Sequence, residues 1–244
     1  MFKLIENRIR LAQFYPGFLG LFVNPFYFAR KGLLKQIASL GKEIRGKTLD
    51  VGCGQKPYQK LFNSSQYVGL ELDTPENRSS RKKKPDIFYD GNTFPFQDCE
   101  FDSMVINQVL EHVFTPNEFF HEVFRVLKPG GTLLISVPFL WDEHEQPYDY
   151  ARYTSFGIRS LLERNGFEVV QQRKTIDDAR TLFQLLNAYI YKKTVTPFPV
   201  LNVLFTVLFM MPWNIIGEFA ALILPRNKDL YLDNVILARK ATHA

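Results

Sequence analysis

Residues Leu49 to Tyr58 read LDVGCGQKPY, a short apolar run closed by two glycines one residue apart. Glycine enters positive-φ conformations that other residues avoid, so a strand ending in such a turn can bring its backbone close to a ligand. Pro57 stands where the first residue of a helix would. A helix starting within Tyr58 to Phe62 is therefore expected, with its unpaired N–H groups offered to an anion. The next strand, Tyr67 to Leu72 (YVGLEL), ends near Glu71, about twenty residues beyond the turn. A carboxylate there can accept from both hydroxyls of a ribose, with Asp73 as the weaker candidate for that role.

Outward from this turn, apolar strand-like runs alternate with helix-like segments. A third strand is expected near Ile87 to Tyr89, a fourth at Ser103 to Asn107 and a fifth at Thr132 to Val137. The fifth is continuously apolar, as central parallel strands are. Helices are expected over Asn117 to Leu127 and Ser155 to Asn165, the first ended by the Lys128 to Gly131 run. Phe167 to Gln171 and Leu230 to Ala238 complete seven strands. Strands and helices taking turns indicate an α/β fold with a mostly parallel sheet and helices on both faces. The expected division is an N-terminal helical lid or extension at 1–45 and a main domain at 46–244, with a hydrophobic insertion at about 176–228.

The chain has 244 residues, 46% of them hydrophobic and 23% charged, which excludes a disordered or collagen-like chain. Cys53 and Cys99 are too few for a disulfide framework or a zinc cluster. Met1 to Arg10 alternates charged and apolar residues, unlike a cleavable signal, so a reduced cytoplasmic protein is expected. Much of the net charge of +5 comes from Arg78 to Lys84 (RSSRKKK). That run reads either as a solvated loop or as a seat for an anionic substrate or phospholipid headgroup. It is too short to track a phosphate backbone, so no nucleic-acid partner is expected.

Pro197 to Pro225 is the unusual segment, with Glu218 its only charged residue. It is long enough to cross a bilayer, but Pro212 and Gly217 interrupt it. A single crossing would also leave Leu230 to Ala238 on the wrong side of its own sheet. A hairpin dipping into one leaflet, a cap over the functional site and a dimer interface remain open, with membrane contact through 198–224 as one reading. The aromatic and basic segment from Phe14 to Leu34 admits the same lid, membrane and core alternatives.

Three further stretches accompany the glycine turn: Asp90 to Phe96 (DGNTFPF), Phe101 to Val113 (FDSMVINQVLEHV) and Arg125 to Gly131 (RVLKPGG). Together with LDVGCG they make the sequence resemble the type 11 group of class I S-adenosylmethionine-dependent methyltransferases, over about Gly46 to Gln171. The resemblance implies a Rossmann-like seven-stranded sheet and S-adenosyl-L-methionine as cofactor. It implies a methionine pocket shaped by Asp50, Gly52, Cys53 and Gly54, ribose held by Glu71, and the adenine amino group facing Asp90 and Gly91. Asn107 and Gln108 would line the sulfonium side. Where many relatives carry a third glycine, this chain has Lys56 and Pro57, which weakens a reading as a nicotinamide-dependent oxidoreductase. A donor-binding scaffold without catalysis is the other alternative.

The loop after the fifth strand, Pro138 to Tyr153 (PFLWDEHEQPYDYARY), should overhang the transferred methyl group, because ligands bind beyond the carboxyl ends of parallel strands. Its acids, single histidine and aromatic rings suit a general base working with water excluded. His144 is the candidate base, with Asp142 and Asp149 as catalytic acids beside it. In the alternative the loop is a structural lid in which Asp149 pairs with Arg152 and His144 only hydrogen-bonds. No metal is expected, since His144 and its flanking acids lack a defined ligand spacing. Glu111 and His112 fall on a turn or helix after the fourth strand, and His121 on the surface. The acceptor expected is a hydroxyl on a small-molecule, glycan or lipid-linked compound. The oligomeric state has no signature in the sequence.

Overall fold

The computed structural model describes residues 13–80, 83 and 85–242. The stretch Met1 to Arg10 and Arg81, Lys82 and Lys84 of the basic run lie outside the described residues.

Seven strands form one sheet in the order β3-β2-β1-β4-β5-β7-β6. They are β1 (Arg45–Val51), β2 (Asn63–Leu72), β3 (Ile87–Tyr89), β4 (Phe101–Asn107), β5 (Leu127–Pro138), β6 (Phe167–Lys174) and β7 (Asp233–Lys240). Within this sheet β1 pairs in parallel with β2 and β4, β2 with β3, and β4 with β5. The expected Rossmann-like, mostly parallel architecture is thus present. The chain builds outward from β1 to β3 and then returns to place β4 on the other side of β1. Ligands in such sheets bind at this reversal, beyond the carboxyl ends of β1 and β4.

The strands sit where their apolar runs predict because both sheet faces are covered. Leu49, Leu70, Met104, Ile106, Leu133 and Ile135 are all essentially inaccessible. Burying each such side chain contributes about 1.5–3 kcal/mol. The helix α1 (Pro116–Val126) buries Phe119, Phe120, Val123 and Val126, a one-sided stripe at helical spacing. Pro116 opens it at a position that tolerates a missing N–H, and β5 begins directly at Leu127. A second helix, α2 (Ser155–Arg164), is capped by Thr154, whose side chain accepts from the Gly157 N–H at 3.0 Å.

One expected element is not formed. Where a helix was predicted from Tyr58, only the 3-10 turn Gln59–Leu61 occurs, and β2 starts at Asn63. Tyr58 and Phe62 are both buried, and the Phe62 ring fills the space beside Gly41 so closely that a Cβ there would lie 2.7 Å from it. Burial of these two rings leaves too little chain for a helix before β2 pairs with Arg45 and Gly46 of β1. The anion-facing helix terminus expected at Pro57 is therefore absent.

Two compact units are distinguishable. One comprises 36–139, 143–173 and 234–242, carrying most of the sheet. The other comprises 13–35, 140–142 and 174–233 among the described residues, so the N-terminal segment and the hydrophobic insertion share a unit. In it lie helices α3 (Arg180–Thr194), α4 (Pro199–Phe205) and α5 (Met211–Ile223), the last two joined through a π-helical turn at Thr206–Met210. Phe28 lies against Gly217, where a Cβ would come within 2.9 Å of its ring. Asn214 is fully paired inside it: its Nδ2 donates to the Leu21 and Asn24 carbonyls, and its Oδ1 accepts from Asn187 Nδ2 at 2.9 Å. Gln184 likewise accepts from the Ala29 N–H and donates to the Pro25 carbonyl. Buried amides satisfied this way fix one packing of otherwise interchangeable apolar helices.

The span Pro199–Ile223 is long and apolar enough to cross a membrane by length and composition, and 22% of its most apolar stretch is buried. Much of its apolar surface faces outward: Val200, Leu222 and Ile223 are each at least 80% exposed, and Phe198 and Phe219 more than 60%. In sequence β7 follows it, and in the sheet β7 lies between β5 and β6.

Candidate functional site

The glycine turn and Glu71 meet. Glu71 Oε2 accepts from the Gly54 N–H at 3.0 Å, across the parallel β1–β2 pair, although the residues are seventeen apart in sequence. Gly52 and Gly54 have φ of +65° and +48°, in the left-handed region that favours glycine. They differ in their surroundings. A Cβ on Gly52 would strike Val109 Cγ2 at 2.4 Å, whereas one on Gly54 would meet nothing within 4 Å. Gly52 is thus needed for packing, and Gly54 borders open space beside a buried carboxylate.

Asp50 is buried one turn of chain earlier, its Oδ2 accepting from Tyr67 Oη at 2.7 Å. Burial pushes its carboxyl up to about 7, against the lowering effect of that hydrogen bond and of Lys56, with Glu71 adding a further push upward. Cys53 is buried, and desolvation followed by the charges of Asp50 and Glu71 pushes its thiol up to about 12, so it stays a neutral thiol. Lys56 pairs with Asp86, which also accepts from the Gly69 N–H at 2.7 Å and so ties the turn to β2. The second oxygen of Glu71 lies 3.2 Å from Lys83 Nζ and 3.5 Å from Asn77 Nδ2.

Asp90 and Gly91 follow β3. Asp90 is exposed, and its Oδ1 accepts from the N–H groups of Asn92 and Thr93 at 2.9 and 3.0 Å, which hold its carboxyl below the usual range. Gly91 has φ +90° and passes close to Leu72 at the end of β2. The loop's shape depends on residues outside it. Arg125 of α1 donates to the Phe94 and Phe96 carbonyls and pairs with Glu122 and Asp98, while Glu122 accepts from the Phe94 N–H at 2.7 Å. Glu122 is marked by no motif, and Arg125 opens the RVLKPGG stretch without that stretch assigning it this role; a helix-end arginine reads as a dipole partner.

Asn107 and Gln108 end β4 and are organised by Ser136 of β5. Ser136 Oγ donates to Asn107 Oδ1 at 2.6 Å and accepts from Gln108 Nε2 at 3.3 Å. Gln108 also has positive φ, +55°, fixed by its N–H donating to the Ser136 carbonyl. A strand end with this conformation turns the chain directly into the 3-10 segment Leu110–His112.

That segment meets the loop after β5. The Tyr150 and Ala151 N–H groups donate to the Glu111 carbonyl, and His112 Nδ1 lies 2.7 Å from the Tyr148 carbonyl. The His112 and His144 rings stand edge to face with centroids 4.8 Å apart. Asp149 Oδ2 accepts from the His144 backbone N–H at 2.9 Å and lies 3.3 Å from His144 Nδ1. Both Asp149 oxygens also take 2.6 Å bonds from Arg152, which above all holds the carboxyl down to about 2. The Asp149–Arg152 pair of the lid alternative is therefore formed, and the same aspartate orients His144. Asp142 belongs to the other unit, where it pairs with Lys192 at 3.0 Å. His121 is exposed, as expected.

The "Methyltransferase domain" family profile matches residues 49–135, from the glycine turn through β5. Residues 49–135 form an S-adenosylmethionine-dependent methyltransferase domain. A probable S-adenosylmethionine-dependent methyltransferase of Mycolicibacterium smegmatis is 31% identical over 163 residues, 62% of each chain. A demethylmenaquinone methyltransferase of Renibacterium salmoninarum is 27% identical over 99 residues, 39% of this chain and 41% of that one. The chain thus spans less than two thirds of the length of either relative. The fold is shared with the crystal structure of an Archaeoglobus fulgidus S-adenosylmethionine-dependent methyltransferase, at a TM-score of 0.53 and 17% identity over 92% of this chain and all of that one. S-adenosylmethionine is the methyl donor of this domain, and the open face of Gly54 beside the buried Glu71 carboxylate fits a donor approaching the backbone closely.

Proposed function

We propose that the chain methylates a hydroxyl oxygen on an apolar, lipid-linked acceptor at the cytoplasmic face of a membrane. The observation that carries the reading is the outward apolar surface of 198–224, where Val200, Phe219, Leu222 and Ile223 stand exposed on helices anchored by buried amides. Monomeric soluble proteins rarely leave a contiguous apolar surface of this kind uncovered. An amphipathic helix lying in the headgroup region buries it without a crossing. The relative that is a demethylmenaquinone methyltransferase agrees with an acceptor of this type.

The donor supplies an electrophilic methyl group, and the protein's work is positioning. Glu71, Gly52 and Gly54 would hold the donor, with Asp90, Gly91, Asn107 and Gln108 along its length. Rings in the loop after β5, among them Tyr148 and Tyr150, exclude water from the acceptor. His144, oriented by Asp149, takes the hydroxyl proton.

The test is flotation of the purified chain with anionic liposomes, alongside a variant in which 198–224 is replaced by a short polar linker. The intact chain should float and the variant should not, while both bind S-adenosylhomocysteine. Equal behaviour of the two with liposomes refutes the membrane reading. Radiolabelled donor should then label the lipid fraction of a host extract; label confined to protein or RNA refutes the acceptor class.

A further inference from the structure

We infer that Glu111, His112 and His144 bind a divalent first-row metal ion, zinc by the nature of its ligands. The three side chains each offer a ligating atom, and these atoms all lie within 4.8 Å of one another. Two come from the 3-10 segment after β4 and one from the loop after β5, so residues 32 positions apart are joined by the Tyr150 and Ala151 N–H bonds to the Glu111 carbonyl.

The orientation of both imidazoles supports ligation. A carbonyl oxygen only accepts, so the 2.7 Å contact between His112 Nδ1 and the Tyr148 carbonyl puts a ring proton on Nδ1 and leaves Nε2 as the atom that can ligate. His144 Nδ1 lies 3.3 Å from Asp149 Oδ2, and this oxygen favours the same orientation of the ring. Metal-bound histidines almost always donate their second ring N–H to a carbonyl or carboxylate in this way. Both rings are therefore already held by their Nδ1 atoms.

Glu111 supplies the charge. Its side chain is fully buried, and Oε1 lies 4.0 Å from His112 Nε2. Neighbouring ligands on tetrahedral zinc lie ~3.4 Å apart, for bonds of about 2.1 Å, so ligand atoms now 4.0 to 4.8 Å apart close by ~0.6 to 1.4 Å through side-chain rotation. A dication between a buried carboxylate and two neutral rings offsets the cost of keeping that carboxylate from water. Two histidines and one glutamate also leave a fourth position open, as at catalytic zinc.

Resting on the methyl-transfer reading, the open position takes the acceptor's hydroxyl oxygen and lowers its pKa. With the ion bound, His144 serves as a ligand and the hydroxyl proton leaves to solvent water, so the ion replaces the base role given to His144 above.

The test is titration of untagged, chelator-treated full-length protein with ZnCl2 by calorimetry. One ion per chain with a micromolar or tighter Kd is expected. His112→Ala, His144→Ala and Glu111→Gln should each weaken binding by at least ~10-fold, and Asp149→Asn, a positioning residue, by ~10-fold or more. Circular dichroism and S-adenosylhomocysteine binding report whether each variant remains folded with its donor site intact. No zinc binding by the wild type, or binding unchanged in folded variants, overturns the site. Zinc binding without loss of methyl transfer on chelation overturns only the hydroxyl-activating role. Absence of any methyl transfer despite ligand-dependent zinc binding falsifies the proposed reaction and leaves the metal site standing.

Discussion

Replacing Glu71 is the sharpest probe of the donor site. Its Oε2 holds the Gly54 N–H at 3.0 Å, and its other oxygen faces Lys83 at 3.2 Å. A hydrogen bond to an ionised group is worth about 1.5–3 kcal/mol, and two ribose hydroxyls would add bonds of this kind. Against that stands displacement of Lys83, whose ammonium is partly exposed, so the pair is worth at most about 1 kcal/mol. The net contribution is then at least about 2 kcal/mol, which corresponds to ~30-fold in affinity. Calorimetry with S-adenosylhomocysteine should show Glu71→Ala weakened by at least that factor. Glu71→Gln, which keeps an acceptor for Gly54, should lie between it and the wild type. Lys83→Ala should tighten binding by no more than ~5-fold, the limit set by a pair of this exposure. A folded Glu71→Ala protein that binds as the wild type does would show that this carboxylate shapes the turn and does not hold the donor.

Gly52→Ala should lose about 3 kcal/mol of stability, from left-handed strain plus the Val109 contact, whereas Gly54→Ala should lose only about 1–2 kcal/mol yet impair donor binding; denaturant melts and calorimetry separate the two. Asp50 titrates near 7 in the folded chain and near 3.8 when unfolded, so the folded state holds the extra proton between these values. Its contribution to stability is greatest below pH 3.8 and declines as pH rises to 7, by about 4 kcal/mol at most. The gap between Asp50→Asn and wild-type melting temperatures should shift in the mutant's favour over that range, and a pH-independent gap would contradict the buried acid. Asp149 has the opposite sign: its carboxyl is held near 2, so its stabilisation is present above pH 3.8 and lost as pH falls toward 2. Arg152→Ala should therefore melt below the wild type at pH 6, with the two converging at pH 2. Asn214→Ala, which leaves the Leu21 and Asn24 carbonyls without their buried donor, should lower the melting temperature while sparing donor affinity.

The parts legible in the sequence are those where a local pattern meets a local cause. The β1 run and the glycines after it declare a strand and a positive-φ turn, and the offset to Glu71 follows from parallel pairing, which carries β2 past β1 with a fixed register. The helix expected after Pro57 fails for a reason no local pattern holds: Tyr58 and Phe62 find burial in a short turn beside Gly41, and the chain is consumed by β2. Proline at a possible first helical position states only that a helix is permitted there.

The same distinction governs the acceptor side. His144 is conspicuous among the acids of its loop, and Asp149 and Arg152 are near enough in sequence for their pairing to be foreseen. What gives His144 its chemistry lies elsewhere: His112 and Glu111 reach it through backbone bonds between a strand-end turn and a loop 32 residues on. A spacing rule for metal ligands looks along the chain, so it passes over ligands contributed by two adjacent parallel strands. In this fold β4 and β5 pair in parallel, with Asn107 beside Ser136, so whatever follows either strand emerges at the same edge. The chemistry of the site is therefore set by which two loops the strand order makes neighbours, and the Glu111, His112 and His144 grouping is a consequence of the β4–β5 register.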